Sequence, residues 1–355
     1  MATPSAALLS FRLGGTDGVS VEAGKWGRAL GHLGFDVRTV AGGGPVDRRL
    51  PGLAIDADAP PTDDEIEDAL AEVDLVVVEN LCSLPLNVAA AAAAARVLRH
   101  RRAVLHHHDL PWQRPRFRHH PPPPDDPRWV HVTINEVSRR ELAVRGISAT
   151  VVRNTFDPDP PAGDGRATRR ALGVEAGTRL LLQPTRAIAR KNVAGGLALA
   201  AGIGATFWLL GPAEDGYGPE LDRLWRHATV PVLHGPGPSA GRGVTAMAMA
   251  DAYAACDAVV LPSTWEGFGN PAVESAVYER PLAIGPYPVA DELRSFGFRW
   301  FDADDAGGLD AWLTAPDAAL LAYNHDVARR HFSTDDLPGR LRRLFADAGW
   351  SDWSA

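Results

Sequence analysis

Two glutamates flank a glycine-rich turn in the second half of the chain. The segment reads STWEGFGNPAVES, with Glu266 before the turn and Glu274 after it. Asn270 is a residue type that caps helix N-termini and Pro271 suits the first helical position, so we expect a helix to begin there. The unpaired N–H groups at such a helix end attract a pyrophosphate. Because the carboxylates can accept hydrogen bonds from hydroxyl groups, the segment predicts a site for a ligand with phosphates and hydroxyls.

A loop of cations precedes this segment in the chain. A short apolar run, Arg179 to Leu182, leads into a loop that contains Arg186, Arg190 and Lys191, and a helix-like stretch follows. The order strand, loop, helix places these cations where open α/β sheets bind ligands. Of the 36 basic residues only Lys25 and Lys191 are lysines, which favours a specific need for a compact ammonium group in this loop. The alternative is that Arg190 and Lys191 are ordinary charges at a helix start.

The spacing E-x7-E, the preceding Leu261-Pro262-Ser263 and the following Gly-Phe-Gly-Asn-Pro together resemble the signature of family 4 retaining glycosyltransferases, which belong to glycosyltransferase group 1. A bare E-x7-E would more often be an acidic helix start. The resemblance implies an α/β fold of the GT-B type, with two Rossmann-like domains whose parallel sheets face each other across a cleft. It also implies transfer of a sugar from a UDP- or GDP-linked donor to a hydroxyl acceptor, with retention at the anomeric carbon.

The same resemblance implies roles for individual residues. Arg186 and Lys191 would grip the donor diphosphate and neutralise the leaving group. Glu266 would hold sugar hydroxyls near the reacting centre, and His108 would contact the sugar from the other domain. The residues implied in donor binding are Gly15, Gly267, Phe268, Gly269, Asn270 and Glu274, the last on the ribose. No cofactor and no protein-bound metal is implied, because the departing phosphate itself takes the acceptor proton.

The sequence departs from the family pattern at three places. Thr185 replaces a customary glycine in the cation loop, Glu279-Arg280-Pro281 lacks another customary glycine, and Pro286-Tyr287-Pro288 stands where small residues are common. The last two departures affect the donor side, and neither the donor base nor the sugar can be read from the sequence.

A parallel sheet wrapped by helices is predicted for the first half, because apolar runs alternate with helical patterns. Ala6 to Phe11 is predicted as the first strand, followed by a glycine-rich loop that contains Gly15 and a helix that ends at Gly34. Leu75 to Glu79 is predicted as a buried strand. Ala103 to Leu105 is predicted as another, and it runs into the cluster His106-His107-His108-Asp109.

Three adjacent histidines in an extended segment point to alternate sides, so they cannot easily ligate one metal ion together. We therefore expect no metal site here. His108 with Asp109 resembles the strand-end histidine of the family, and His106 and His107 would then be packing or acceptor-side groups. Which histidine faces the cleft stays open by one register step.

A proline-rich segment, Trp112 to Asp126, is predicted to be an extended loop because prolines oppose regular structure. One hypothesis is an acceptor-binding lid, in which arginines such as Arg114 and Arg116 recognise an anionic acceptor. Asp109 is a further candidate for acceptor binding. The favoured interpretation is a plain solvated loop. Contact with an anionic membrane surface is a third interpretation and rests on few charges.

Length and composition favour two domains. The 355 residues, of which 45% are hydrophobic, can build two ordinary cores. Pro158 to Gly165 is rich in proline and glycine and predicts the boundary. We expect an acceptor-side domain over residues 1–158, a donor domain over residues 159–325, and a helical tail over residues 326–355 that packs back on the first domain.

Composition also excludes some functions. A net charge of −8 without a long basic face argues against nucleic acid as a partner. Cys82 and Cys256 lie in apolar segments without metal-ligand spacing, which predicts buried thiols in a reducing compartment. The apolar run Ala6 to Leu9 is too short for a signal peptide, and the tract Ala89 to Ala95 is too short to span a bilayer. We therefore expect a cytoplasmic protein without a transmembrane segment.

Three alternatives to the transferase stay open from the sequence. The same fold could carry a glycoside phosphorylase or an epimerase, or the chain could be a noncatalytic subunit that binds a nucleotide sugar. The acceptor, the oligomeric state and the pathway cannot be read from the sequence.

Overall fold

The chain divides into two compact units in the computed structural model, which describes residues 3–235 and 249–350. Unit 1 comprises the described residues up to Thr155 and from Thr334 onward, and unit 2 comprises those from Phe156 to Ser333. The sequence places these boundaries at residues 158 and 325. Residues 351–355 of the predicted tail lie outside the described part of the chain.

Unit 1 contains a fully parallel sheet in the order β3-β2-β1-β4-β5-β6-β7. Its central strands are continuous apolar runs because helices cover both faces of the sheet. The strands are β1 (Ser5–Arg12), β2 (Asp36–Gly43), β3 (Arg48–Arg49), β4 (Leu75–Glu79), β5 (Ala103–His107), β6 (Trp129–Thr133) and β7 (Ala149–Val151).

Side-chain caps set the starts of the first helices of unit 1. Asp17 accepts a hydrogen bond from the Ser20 N–H, and Thr62 forms a reciprocal capping box with Glu65. The helices are α1 (Gly18–His32), α2 (Asp63–Ala69), α3 (Val88–Leu98) and α4 (Glu136–Ala143).

Unit 2 repeats the plan with a parallel sheet in the order β10-β9-β8-β11-β12-β13. Its strands are β8 (Leu180–Gln183), β9 (Thr206–Leu209), β10 (Val232–His234), β11 (Ala258–Leu261), β12 (Leu282–Ile284) and β13 (Phe301–Asp302). Its described helices are α5 (Gly165–Leu172), α6 (Val193–Gly202), α7 (Gly218–His227), α8 (Met249–Ala255), α9 (Asn270–Val277), α10 (Pro288–Arg294), α11 (Ala306–Thr314) and α12 (Ala318–Phe332).

The last described helix, α13 (Leu337–Asp347), belongs to unit 1. Its buried leucines and Phe345 join the core cluster that contains Trp26 and Phe35, and the Phe345 and Phe35 rings lie 6.2 Å apart edge to face. Burying such an aromatic side chain stabilises a fold by about 1.5–3 kcal/mol. The helix therefore completes one face of the unit 1 core.

Both sheets have a strand order that reverses direction beside their first strand, next to β4 in unit 1 and next to β11 in unit 2. In open α/β sheets, ligands bind outside the carboxyl ends of the strands at this switch point. The site residues are therefore expected in the loops after β1 and β4 and in those after β8 and β11.

The proline-rich segment differs from its prediction. Two short 3-10 helices, Pro111–Gln113 and Pro115–Phe117, stand where the sequence predicts only extended chain. Each begins with a proline, which is preorganised for the first position of a helical turn. The extended loop was predicted because proline interrupts regular secondary structure, but here Pro111 and Pro115 each begin a short helix.

Cys82 and Cys256 are free and buried, as predicted. Burial raises the pKa of each thiol to about 12, so neither is a reactive thiolate. No helix in the described part of the chain is both long and apolar enough to cross a membrane.

Candidate functional site

The loops that follow β8 and β11 are joined by hydrogen bonds at the switch point of unit 2. The Thr264 N–H donates to the Arg190 carbonyl at 2.9 Å, and the Asn192 amide donates to the Pro262 carbonyl at 3.2 Å. Gln183, at the end of β8, donates to the Lys191 carbonyl at 3.0 Å. These bonds hold the cation loop against the glutamate loop.

A buried ion pair lies between these two loops. Lys191 Nζ is 2.5 Å from Glu266 Oε1, and the Arg190 guanidinium is 2.9 Å from Glu266 Oε2. Arg190 also donates to the Trp265 carbonyl at 2.8 Å. Since Lys191 is 8% and Glu266 5% exposed, both charges depend on this pairing.

The charges shift both pKa values. Burial alone would raise the pKa of Glu266, but the positive charges of Lys191 and Arg190 outweigh it and lower that pKa. Burial lowers the pKa of Lys191, and the nearby charges of Arg190 and Arg186 lower it further against the pull of Glu266. We infer that Glu266 is ionised, with both oxygens engaged.

Arg186 lies at the outer side of the same loop. It forms a half-exposed ion pair with Glu214 at 2.5 Å. A Cβ added to Gly211 would lie 2.8 Å from the backbone of Arg186, so the neighbouring loop passes close to it. Arg186 is thus near Lys191 but is bound to a different carboxylate.

The helix after the glycine turn begins one residue earlier than predicted. Gly269, with a φ of 89°, occupies the N-cap position, and Asn270 is the first helical residue. The prediction of Asn270 as the N-cap was wrong, because the chain enters the helix through a left-handed residue, and glycine adopts that conformation without strain. A Cβ on Gly269 would also lie 2.3 Å from the Tyr287 hydroxyl.

The side chain of Phe268 lies in the core. It is 4% exposed, and its ring lies 6.1 Å from those of Phe156 and Phe332. Only the backbone of Phe268 therefore belongs to the loop, together with Gly267.

Glu274 accepts a hydrogen bond from the Tyr253 hydroxyl at 2.7 Å, and Tyr253 stacks on Tyr278 at 4.7 Å. Burial and the charge of Glu274 raise the pKa of Tyr253 well above its usual value. Glu274, one helical turn into α9, is thus oriented by the neutral phenol of Tyr253.

The buried hydroxyl of Tyr287 has no hydrogen-bond partner among the described residues. Such a group destabilises a fold by about 1–3 kcal/mol. We expect Tyr287→Phe to raise Tm by about 2–4 °C per kcal/mol regained, measured by calorimetry without ligand. Tyr253→Phe is the control and should lower Tm, because its hydroxyl is bonded to Glu274. An unchanged or lower Tm for Tyr287→Phe would show that the hydroxyl has a partner.

In unit 1, two of the three adjacent histidines converge on a residue that the sequence did not suggest. His106 Nδ1 and His108 Nε2 lie 2.9 and 2.8 Å from the same oxygen of Glu79. Glu79 is the last residue of β4 and is fully buried. The available signal was an acid at the end of an otherwise apolar strand.

His107 points to the other side of β5 and belongs to a separate chain of hydrogen bonds. Its Nδ1 lies 2.5 Å from the Ser83 hydroxyl and its Nε2 2.9 Å from His131 Nδ1. His131 Nε2 in turn lies 3.1 Å from Asp125, within the proline-rich segment. His107 is therefore a buried packing group. This was one of its two predicted roles, the other being an acceptor-side group.

The ligand atoms of Glu79, His106 and His108 lie within 4.8 Å of one another, so this group could hold a metal ion. His106 and His108 are alternate residues and lie on one face of the sheet, where they meet Glu79 of the neighbouring strand β4. The sequence did not predict this meeting. The hydrogen bonds already satisfy one Glu79 oxygen in the absence of a metal. The absence of a protein-bound metal stays a prediction.

The remaining predicted residues lie apart from these clusters. Arg114 forms an ion pair with Asp109 at 2.8 Å, and the exposed Arg116 guanidinium lies 4.5 Å from the Phe117 ring centroid. Gly15 lies in the exposed turn between β1 and α1. Asp109 and Arg114 are thus paired with each other, which reduces the positive charge that the loop offers to an anion.

The chain is similar in sequence and in fold to several known enzymes. The chain is 25% identical to the mannosylglucosylglycerate synthase of Thermotoga maritima, over 95% of this chain and 98% of that protein. It superposes on HepE of Anabaena, solved in complex with UDP and glucose, with a TM-score of 0.68 and 18% identity over 97% of this chain and 99% of HepE.

Sucrose-phosphate synthase of Thermosynechococcus elongatus superposes with a TM-score of 0.70 and 14% identity, over 98% of this chain and all of that one, 100%. The chain has the GT-B fold, which these glycosyltransferases share. The predicted fold class and the resemblance to group 1 glycosyltransferases are confirmed. No family model matches the sequence.

Proposed function

We propose that this protein transfers a sugar, with retention, from a nucleotide diphosphate sugar to a hydroxyl acceptor. The observation that carries the proposal is the buried Lys191–Glu266–Arg190 cluster at the switch point of unit 2, with Arg186 beside it. These three cations are paired with two carboxylates, Glu266 and Glu214, which leaves an excess of one positive charge where a ligand is expected. A diphosphate has the charge that such a place attracts.

The chemical step requires neutralisation of the leaving group. As the bond between the anomeric carbon and the phosphate oxygen breaks, negative charge grows on the diphosphate, and fixed cations lower that barrier. Arg186 and Lys191 are proposed to supply the positive charge, and the N–H groups at the start of α9 to supply hydrogen bonds. No protein-bound metal is required in this scheme.

Retention is proposed to follow a front-face path. The acceptor oxygen bonds to the anomeric carbon on the face from which the phosphate leaves, and the acceptor proton passes to a phosphate oxygen. Glu266 suits the holding of sugar hydroxyls better than nucleophilic attack, because its two oxygens are already engaged by Lys191 and Arg190. Glu274 is proposed to bind the ribose, and His108 to contact the sugar.

UDP is the first nucleotide to test, since HepE was solved with UDP and glucose. A ligand that binds only the folded protein raises Tm. We expect one of UDP, GDP, ADP and TDP to raise Tm selectively and equally with magnesium or with EDTA. Transfer from the matching nucleotide sugar to a panel of hydroxyl acceptors would then establish the reaction, and NMR of the product would establish retention.

The same experiment separates the alternatives. A shift that requires magnesium would contradict the metal-free scheme. No shift with any nucleotide, together with release of a sugar 1-phosphate from a glycoside by inorganic phosphate, would favour a phosphorylase. Nucleotide binding without transfer to any acceptor would favour a noncatalytic subunit. A cytoplasmic location and the absence of nucleic acid as a partner stay predictions.

A further inference from the structure

Glu79 is a fully buried acid at the switch point of unit 1. It ends β4 and stands in register with Ser10 on β1 and with His106 on β5. The proposed donor chemistry of Arg186, Lys191 and Glu266 gives this residue no role. A buried carboxylate is costly unless it is paired and hydrogen-bonded, so its partners indicate its purpose.

Those partners are two histidines from one face of β5. Burial would raise the pKa of Glu79, but the charges of and hydrogen bonds from His106 and His108 outweigh burial and lower that pKa to about 2. An ionised carboxylate only accepts hydrogen bonds. The protons therefore lie on His106 Nδ1 and on His108 Nε2, and His108 Nδ1 is left as the ring nitrogen that Glu79 does not engage.

The backbone of His108 is held from the same side. Asn80, the residue after Glu79, accepts hydrogen bonds through Oδ1 from the N–H groups of His108 and Asp109, at 3.2 and 3.3 Å. Glu79, at the end of β4, thus holds the ring of His108, and Asn80, the next residue, holds its main chain. By contrast, the His106 ring lies 4.3 Å from that of Trp26 and packs in the core.

We propose that Glu79 is a positioning residue that holds His108 through Nε2 and so directs Nδ1 to a hydroxyl group of the donor sugar. The proposal rests on the proposed function, in which His108 contacts that sugar. It adds the residue that determines which nitrogen of His108 makes the contact and in which protonation state. Partners of this kind typically change activity by about 10- to 100-fold when they are removed, on the analogy of metal-site histidines.

The charges around His108 give the direction of its pH dependence. Burial would lower the pKa of His108, but the hydrogen bond and charge of Glu79 raise it, with smaller contributions from Glu22 on α1 and from Asp109. His106 and His107, on the same strand, are the other titratable groups nearby, and burial lowers the pKa of each. The imidazolium form of His108, in which Nδ1–H donates, is therefore lost as pH rises through its raised pKa.

Glu79→Gln in the full chain tests the proposal. The amide keeps the size of the side chain and removes the charge, so the fall of kcat/KM at alkaline pH should move to lower pH, with about a tenfold loss near pH 7.5. Nucleotide diphosphate affinity, measured by calorimetry, should not change, because that site lies in unit 2. Glu22→Gln, which removes a nearby charge without a hydrogen bond to His108, is the matched control and should shift the profile far less.

A profile of Glu79→Gln that coincides with wild type would overturn the proposal. An NMR measurement on the wild-type protein tests the proposal even if the Glu79→Gln variant does not fold. With ¹⁵N-labelled histidine, NMR should show the His108 proton on Nε2, and a ring protonated only on Nδ1 would overturn the proposal as well. If wild type transfers no sugar from any nucleotide donor, the proposed function fails, and the NMR result alone decides whether Glu79 holds His108.

Discussion

Lys191→Met is expected to reduce kcat for sugar transfer by about a thousandfold, since one fixed donor to a developing charge contributes about 10²–10³ in rate. The same substitution leaves Glu266, which is 5% exposed, with only Arg190 as a cationic partner. Breaking a buried ion pair on one side costs about 3 kcal/mol or more. The burial of the pair therefore makes a loss of stability an expected result as well.

Two variants separate the loss of chemistry from the loss of stability. The double variant Lys191→Met/Glu266→Gln removes both buried charges and leaves only Arg190, which is part-exposed and keeps its hydrogen bond to the Trp265 carbonyl. Its Tm should therefore return most of the way to that of wild type while transfer stays lost. Lys25→Met is the matched control, because Lys25 is the other lysine of the chain and forms a buried pair with Glu22. It should destabilise unit 1 by a similar amount and leave nucleotide affinity unchanged.

The decisive measurements are single-turnover transfer at saturating donor and nucleotide affinity by calorimetry. Transfer by a folded Lys191→Met variant at the wild-type rate would refute the assignment of the diphosphate site. Weaker nucleotide binding with unchanged kcat would instead restrict Lys191 to ground-state binding.

The sequence was sufficient for the buried strands β1, β4 and β5 and for the loops that carry Lys191 and Glu266. These features have local signals, namely apolar runs, glycine-rich turns and cations between a strand and a helix. The loop after β11 illustrates the limit of such signals. Asn270 is a good cap by residue type, but the turn requires a positive φ at the capping position, and Gly269 provides it.

Partners across neighbouring strands could not be predicted in the same way. Glu79 lies far from His106 and His108 in the sequence, and they meet only because β4 and β5 are adjacent and in register. The register also decides that His106 and His108 share one face while His107 faces His131. A shift of one residue would exchange these faces, and nothing in the histidine run itself specifies the register.

Unit 1 is expected to lose stability as pH falls below about 6.5, the ordinary pKa of histidine. Burial lowers the pKa values of His106, His107 and His131 in the folded protein. These three histidines therefore bind fewer protons in the folded chain than in the unfolded chain. The free energy of unfolding consequently decreases as pH decreases. The raised pKa of His108 acts in the opposite direction. It adds stability that is fully present below pH 6.5 and is lost as pH rises above the pKa of His108 in the folded protein.

Three groups against one predict a net fall in the free energy of unfolding as pH falls just below 6.5, and each proton of difference between the unfolded and folded states contributes about 1.4 kcal/mol per pH unit. His107→Gln should make the slope shallower by about one proton, since glutamine can accept from Ser83 and donate to His131 without titrating. Urea unfolding between about pH 5 and 8 measures both slopes, and a His107→Gln slope equal to that of wild type would mean that His107 is already protonated in the fold.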